Sequence, residues 1–198
     1  MRPRDYAILS QQAYTAIPAI GAPDSAARIV FNSTEIGLVL SIPGTNNLAC
    51  LEADAEALLY DAGEFGQVHR GIWLAFDGVW SDVAKMLPVA LTGHSEGAAG
   101  AIYLAARLAK AGRAPKAVYA FEPPRTSIDT ALAAIIQEAG IELHIYHHGR
   151  DLVPLVPLDI PGEDWQHAGP VTQFGKPTSI FPNIKDHAIA AVVADLPN

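Results

Sequence analysis

The chain has 198 residues with 13 Lys or Arg and 21 Asp or Glu, so its formal net charge is −8. Half of the residues are hydrophobic, which allows a buried core and excludes a wholly disordered chain. The acidic balance argues against nucleic acid as the main partner, because phosphates need a basic face. Cys50 stands alone, which excludes a disulfide framework, and no charge-free apolar run reaches the ~18 residues of a transmembrane helix. We expect one domain over residues 1–198; no signal peptide is visible, and the compartment stays open.

Hydrophobic periodicity predicts alternating helices and strands along most of the chain. The predicted elements are, in order, a helix at 4–14, a β-hairpin of 27–33 and 36–41, a short helix at 48–59, a long helix at 69–87, a strand at 89–92, a helix at 96–111, a strand at 117–121, a helix at 128–139 capped by Ser127, a strand at 141–146, a strand near 171–174 and a helix at 187–196. Such alternation predicts an α/β fold with a mostly parallel sheet, helices on both faces and an antiparallel hairpin near the N-terminus.

Residues 93–97 read Gly-His-Ser-Glu-Gly, which matches the G-x-S-x-G pattern of a nucleophile elbow. The pattern is short, but here it follows an apolar strand and opens a helix rich in small residues. That strand–turn–helix context exposes a serine at a sharp turn and aims the N–H groups of a helix N-terminus at developing negative charge. Ser95 is therefore the candidate nucleophile, and the alternative is a glycine-rich turn with an inactive serine.

A serine nucleophile needs a base, and the base needs an orienting acid. In this fold class the chain order is serine, acid, histidine. Asp151 is the favoured acid because it follows the strand at 141–146, with Asp159 and Asp164 as competitors and Asp129 less favoured at a helix start.

Only two histidines follow that acid. His187 lies just before the last helix and is the favoured base, whereas His167 beside a tryptophan reads better as a histidine of the core. The neighbouring Asp186 is a candidate cap for the last helix. No cysteine or Glu-x-x-His pattern supports a metal site, so neither a metal nor a cofactor is expected.

The oxyanion of a tetrahedral intermediate needs two N–H donors. One is expected from the backbone of Glu96, directly after the nucleophile. The other is expected from the loop at 42–47, where Gly44 permits close approach and Thr45 offers both an N–H and a hydroxyl. The alternative for this loop is an ordinary Pro-Gly turn.

Further segments accompany the elbow in a fixed order: Gly44-Thr45 behind a strand, Val-His-Arg-Gly-Ile at 68–72, Thr-Gly-His-Ser-Glu-Gly at 92–97, Val-Tyr-Ala-Phe-Glu-Pro-Pro-Arg at 118–125, Asp-Leu-Val-Pro-Leu-Val-Pro at 151–157, Trp-Gln-His-Ala-Gly at 165–169 and Asp-His at 186–187. From about residue 25 to the end, they resemble the motifs of the class 3 lipases, the fungal-type triacylglycerol lipase family. The resemblance implies an α/β-hydrolase fold and metal-free ester hydrolysis. It implies Ser95, Asp151 and His187 as catalytic triad, with Thr45 and Glu96 at the oxyanion hole.

The chain also departs from the family pattern. Glu122 stands where the family has a glycine, Pro43 replaces a frequent arginine, and Glu96 puts a carboxylate beside the nucleophile. A lid is expected in long-chain lipases of this family, and the candidate here is a short helix at about 47–60, whose alternative is a packed surface helix.

The leading hypothesis is a carboxylic ester hydrolase, either esterase or lipase, that acts through an acyl-enzyme on Ser95. Its partners would be an ester or lipid substrate and a transient lipid interface. A phospholipid or lysophospholipid acyl hydrolase is the alternative within the same class. A catalytically silent hydrolase-fold binding module is the alternative of another class.

Overall fold

The computed structural model describes residues 1–45 and 58–197. The helices of these residues are α1 (Pro3–Gln12), α2 (Arg70–Asp77), α3 (Trp80–Val83), α4 (Glu96–Lys110), α5 (Ala131–Glu138) and α6 (Ile189–Asp195). The strands are β1 (Val30–Thr34), β2 (Gly37–Ile42), β3 (Leu59–Asp61), β4 (Gln67–His69), β5 (Ala90–His94), β6 (Ala117–Phe121), β7 (Glu142–His148) and β8 (Val171–Phe174). Short 3₁₀ turns cover Gly63–Phe65, Val153–Leu155 and Lys185–His187.

A six-stranded sheet in the order β1-β2-β5-β6-β7-β8 organises the described residues. β1 and β2 pair antiparallel, and every other neighbouring pair in this sheet is parallel. β3 and β4 form a separate antiparallel pair. The mostly parallel sheet with its N-terminal antiparallel hairpin confirms the fold class predicted from the alternation of apolar patterns.

Helices cover both faces of this sheet. Because side chains alternate between the faces of a strand, Leu91 and Val118 join a core beneath α2, α4 and α5. Their chain neighbours Ala90 and Ala117 join a second core with residues of α1 and α6. Parallel strands buried on both faces read as continuous apolar runs, which explains why short sequence patterns identified β5 and β6.

The long helix predicted at 69–87 is wrong, since the structure breaks it into α2 and α3. The amide of Gly78 still bonds the carbonyl of Leu74, but that of Val79 turns back to the carbonyl of Phe76, which tightens the chain at the break. Glycine interrupts a helix readily because fixing its backbone costs more entropy than fixing alanine. Both halves bury their apolar side in the same core cluster, so the periodicity runs through the break without revealing it.

Two other local predictions also need correction. Ser127 does not cap a helix; it makes bridges with Val68 and Gln166, and α5 starts only at Ala131. Leu59, the predicted end of the helix, and Tyr60, the predicted end of the lid segment, lie instead in β3, which pairs with β4. The rest of the predicted 48–59 helix and 47–60 lid falls almost entirely on residues 46–57, outside the described residues.

Candidate active site

Ser95 lies on a sharp turn between β5 and α4. Its backbone has φ 58° and ψ −133°, and its N–H donates to the carbonyl of Phe121 on β6 at 2.9 Å. A non-glycine residue at positive φ is strained and persists only where its surroundings hold it, which is common at functional sites. The side chain is fully buried. These features are those of a nucleophile elbow, as the sequence predicted for this serine.

The predicted oxyanion loop packs directly against this turn. A Cβ on Gly44 would lie 2.7 Å from Cβ of Ser95, and a Cβ on Gly97 would lie 2.4 Å from the carbonyl oxygens of Ile42 and Pro43. Only glycine fits at both positions, so the loop and the first turn of α4 approach at backbone distance. The structure thereby brings the Gly44-Thr45 segment and the start of α4, where Glu96 is the first helical residue, to the nucleophile.

Asp151 and His187 form a buried hydrogen bond. Nδ1 of His187 lies 2.5 Å from Oδ2 of Asp151, and the two side chains are 2% and 0% exposed. Burial alone would raise the pKa of Asp151, but hydrogen bonds with His187 and Glu122 outweigh it and lower that pKa. An ionised carboxylate accepts only, so Nδ1 donates, and Nε2 is left to accept a proton in the neutral ring.

The loops that carry this pair are joined to each other. The amide of Leu152 donates to the carbonyl of Asn183, and the amide of Asn183 donates to the carbonyl of Arg150. Oδ1 of Asp151 also accepts the N–H of Val153 at 3.0 Å. The loop after β7 and the 3₁₀ turn before α6 therefore hold the acid and the base in one fixed arrangement.

Two polar atoms of the predicted catalytic triad are unpaired among the described residues. They are Oγ of Ser95 and Nε2 of His187, both buried. Buried polar atoms normally have hydrogen-bond partners, and exceptions concentrate where chemistry occurs. Since the serine–base hydrogen bond is often long before substrate binds, these two atoms are those expected to meet during catalysis.

Sequence reasoning missed a hydrogen-bond chain through Tyr14 and His94. Nε2 of His94 donates to the carbonyl of His187 at 2.8 Å, so its Nδ1 accepts the Tyr14 hydroxyl at 2.6 Å. The Tyr14 oxygen in turn accepts the N–H of Gly44 at 3.0 Å. Burial lowers the pKa of His94 well below its ordinary value and raises that of Tyr14 to about 12, which keeps both groups neutral. These hydrogen bonds link the oxyanion loop to the turn that holds the base, through residues so far apart in sequence that no local pattern connects them.

The competing acids and base lie in other settings. Asp159 forms an ion pair with Arg125, with the aspartate 54% exposed. Asp129 accepts the amides of Gln67 and Ala131. Asp164 is exposed.

The competing base, His167, bonds the carbonyl of Pro154 through Nε2, and burial lowers its pKa to about 4. The partners of Asp159 and Asp129 are an arginine and backbone amides, whereas the carboxylate of Asp151 bonds the imidazole of His187. The structure therefore pairs Asp151 with His187, and His94, the residue before Ser95, bonds the carbonyl of His187.

Glu122 lies beside the pair, and one atom each of Glu122, Asp151 and His187 falls within 4.8 Å of the others. Carboxylates and imidazole are ligands of divalent metals. However, the 2.5 Å between Nδ1 and Oδ2 is shorter than the roughly 3.3 Å that separates two ligands at 2.0–2.1 Å from a tetrahedral ion. The spacing of this pair is that of a hydrogen bond.

Comparison with known proteins identifies the family. A family model described as "Lipase (class 3)" matches residues 39–160. No curated protein matches the chain by sequence. In the described part of the chain, no helix has the length and apolarity needed to span a bilayer.

Solved structures of fungal lipases share the fold. Lipase II from Rhizopus niveus is 21% identical with a TM-score of 0.68, over 93% of this chain and 91% of that one. The Rhizomucor miehei lipase propeptide complex is 21% identical with a TM-score of 0.66, over 96% and 75%. A mutant form of MDLA from Penicillium cyclopium is 19% identical with a TM-score of 0.65, over 93% and 81%. At these identities the likeness establishes the α/β-hydrolase fold.

Proposed function

The chain belongs to the class 3 lipases, and from that premise we propose that it cleaves carboxylic esters of lipids by transferring the acyl group to Ser95. The observation that carries the proposal is the buried hydrogen bond between His187 and Asp151, together with a serine held at positive φ whose chain neighbour His94 bonds the carbonyl of His187. A serine hydroxyl is a weak nucleophile unless an oriented base takes its proton. The arrangement supplies that base with the correct nitrogen unprotonated.

In the first half-reaction, Nε2 of His187 takes the proton of Ser95 as Oγ attacks the ester carbonyl. The N–H groups of Thr45 and Glu96 receive the oxyanion. The tetrahedral intermediate then collapses to the acyl-enzyme, and the protonated His187 gives its proton to the leaving alcohol. Asp151 holds the ring in the required tautomer and stabilises its charged form.

In the second half-reaction, water replaces the alcohol. His187 takes a proton from the water as it attacks the acyl carbonyl, and then returns the proton to Oγ of Ser95. The carboxylic acid leaves and the site is restored. Each half-reaction develops an oxyanion at the same position, so one missing donor would lower kcat by on the order of 10²–10³.

Hydrolysis of p-nitrophenyl esters from acetate to palmitate tests this proposal, with Ser95→Ala as the matched control. We expect activity that disappears in the variant, because the attacking oxygen is removed while the fold is kept. The rate across chain lengths then separates an esterase from a lipase, and phospholipid substrates test acyl hydrolysis of that class. Wild-type protein inactive on every ester would contradict the proposal and favour a silent binding module.

A further inference from the structure

Glu122 occupies a backbone position that its side chain does not favour. It directly follows β6 with φ 55°, in the left-handed region that glycine adopts freely. Residues 118–125 resemble a motif of the class 3 lipases, and that motif has a glycine at the position of Glu122. Glu122 is also fully buried. A buried carboxyl group and a strained backbone each raise the free energy of the folded state unless contacts of the residue compensate.

The contacts of Glu122 lead to the predicted triad. Oε1 accepts a short hydrogen bond from the backbone N–H of His148 on β7. Oε2 has no donor among the described residues. An oxygen of Glu122 nevertheless lies within 4.8 Å of an oxygen of Asp151, and both side chains are fully buried. Two buried carboxylates this close repel and cannot donate to each other, so a hydrogen bond between them requires a proton on one of the pair.

The proton belongs on Glu122. Asp151 already accepts N–H groups from His187 and Val153, which stabilise its ionised form. Glu122 accepts one N–H, from His148. Burial first, and then the hydrogen bond and negative charge of Asp151, raise the pKa of Glu122 well above its ordinary value. With its proton, Glu122 becomes the donor and the acceptor-only Asp151 receives a third hydrogen bond.

We propose that Glu122 is a positioning residue, whose protonated carboxyl donates a hydrogen bond to Asp151 and thereby fixes the carboxylate that orients His187. The inference deepens the proposed acyl transfer and rests on it. Three donors from separate segments then hold Asp151 in place: the 3₁₀ turn before α6, the 3₁₀ turn after β7, and Glu122, which directly follows β6. The strain at residue 122 is offset by this contact.

The contact depends on pH because ionised Glu122 has no proton to donate and repels Asp151. The titratable groups that surround the Glu122–Asp151 pair are Asp186, His94, His147, His148 and His187. The negative charges of Asp151 and Asp186 keep the proton on Glu122, whereas the His148 N–H opposes them. As pH rises through the raised pKa, the wild-type protein loses the hydrogen bond, and ester hydrolysis falls on an alkaline limb.

Two variants of matched size separate the donor from the bulk of the side chain. Glu122→Gln keeps an acceptor for His148 and an N–H donor for Asp151, but cannot ionise. Glu122→Leu keeps the volume and loses both hydrogen bonds. At the pH optimum, we expect kcat of the Leu variant to fall about tenfold to a hundredfold below that of the Gln variant, the factor expected for a hydrogen bond to a charged group. We also expect the alkaline limb of wild type to be absent from the Gln variant.

Unfolding by urea across pH gives a second readout that needs no catalysis. The unfolded carboxyl keeps its ordinary pKa near 4.5 and the folded one is raised, so the stability from Glu122 is full below that value and is lost as pH rises through the folded pKa. The stability of Glu122→Gln relative to wild type should therefore increase with pH, also in a Ser95→Ala background.

Pairs of results decide between the two claims. Coincident pH profiles of wild type and Glu122→Gln in both kcat and stability would overturn the role of Glu122, and so would equal kcat in the Gln and Leu variants. If the Leu variant does not fold, the stability difference between wild type and Glu122→Gln decides alone. Failure of the acyl-transfer proposal shows instead as wild-type protein that hydrolyses no ester, or as ester hydrolysis that Ser95→Ala does not remove.

Discussion

The carboxylate of Asp186 accepts the backbone N–H of Arg150 at 2.8 Å, so the residue before the predicted base is bonded to the residue before the predicted acid. The same carboxylate accepts N–H groups from Thr178 and Asn183. A Cβ on Gly149 would lie 2.5 Å from Oδ2 of Asp186, where the chain has φ 56°. Asp186, predicted from sequence as a helix cap, instead joins the two loops that present the predicted acid and base.

Replacing Asp186 should weaken the fold and remove a pH dependence. Burial raises the pKa of Asp186, but the hydrogen bonds from Thr178, Arg150 and Asn183 outweigh burial and lower it from 3.8 to about 2. The stabilisation is therefore full above 3.8 and lost as pH falls toward 2. We expect Asp186→Asn to lower the free energy of unfolding by about 1–3 kcal/mol at neutral pH, with the gap to wild type narrowing in acid.

Urea melts between neutral pH and pH ~2 measure this gap. Asp82→Asn is the control, because Asp82 is 56% exposed and its ion pair is with the exposed Lys85, and exposed pairs contribute little. A gap for Asp186→Asn that stays constant down to the lowest pH would show that its charge does not hold the loops.

Asp151→Asn should lower kcat by on the order of 10³–10⁴, because an amide cannot stabilise the imidazolium and can hold the wrong tautomer. Asp159→Asn is the matched control: Asp159 is the nearest rival in sequence, and its partner is Arg125 at the surface. Steady-state hydrolysis of one ester by both variants measures the difference. Equal losses, or a larger loss for the Asp159 variant, would move the acid role away from Asp151.

His187→Ala should abolish ester hydrolysis, since among the described residues no other imidazole bonds the carboxylate of Asp151. His167→Ala is the corresponding control, because Nε2 of His167 makes a hydrogen bond with the carbonyl of Pro154 at 3.0 Å. We expect the control to lose about 1 kcal/mol of stability and to keep its kcat. Thermal melts and initial rates check both expectations, and an active His187→Ala protein would refute the assignment.

Gly97→Ala should damage both stability and catalysis, because its methyl group would meet the backbone carbonyls of Ile42 and Pro43 at 2.4 Å. Backbone cannot move aside cheaply, so we expect a loss of about 1–3 kcal/mol and displacement of the oxyanion loop. At Gly78, an added Cβ would meet nothing closer than 3.4 Å, and the backbone is already helical.

Gly78→Ala is thus the matched control, with an expected gain of about 0.4–1 kcal/mol. Melting temperatures and kcat of the two variants measure the contrast. Similar stability changes at both positions would mean that the close approach of the oxyanion loop to α4 is not required.

The sheet and the elbow were predictable because their signals are local. An apolar run before Gly93 and small residues after it specify strand, turn and helix within about 20 positions. The order serine, acid, histidine then restricts the partners to a few side chains that follow predicted strands. The parallel register that aligns β5, β6 and β7 brings the turns after them to one edge of the sheet.

Contacts between distant segments were not predictable in this way. Tyr14 meets His94 only because α1 packs against β5, and Glu122 meets Asp151 only because β6 and β7 end side by side. The helix break at Gly78 could not be predicted for another reason: the two helices on either side of it keep a common apolar side. Sequence periodicity reports which side is buried, but not whether the backbone continues unbroken.

The central claim is that Ser95 is the nucleophile, and covalent labelling tests it most directly. The protein is treated with a serine-reactive alkyl phosphonate, and the modified peptide is located by mass spectrometry in wild type and Ser95→Ala. We predict a single adduct on Ser95 in the wild-type protein and none in the variant, with both proteins equally folded by thermal melting. An adduct on another residue, or equal labelling of Ser95→Ala, would contradict the claim.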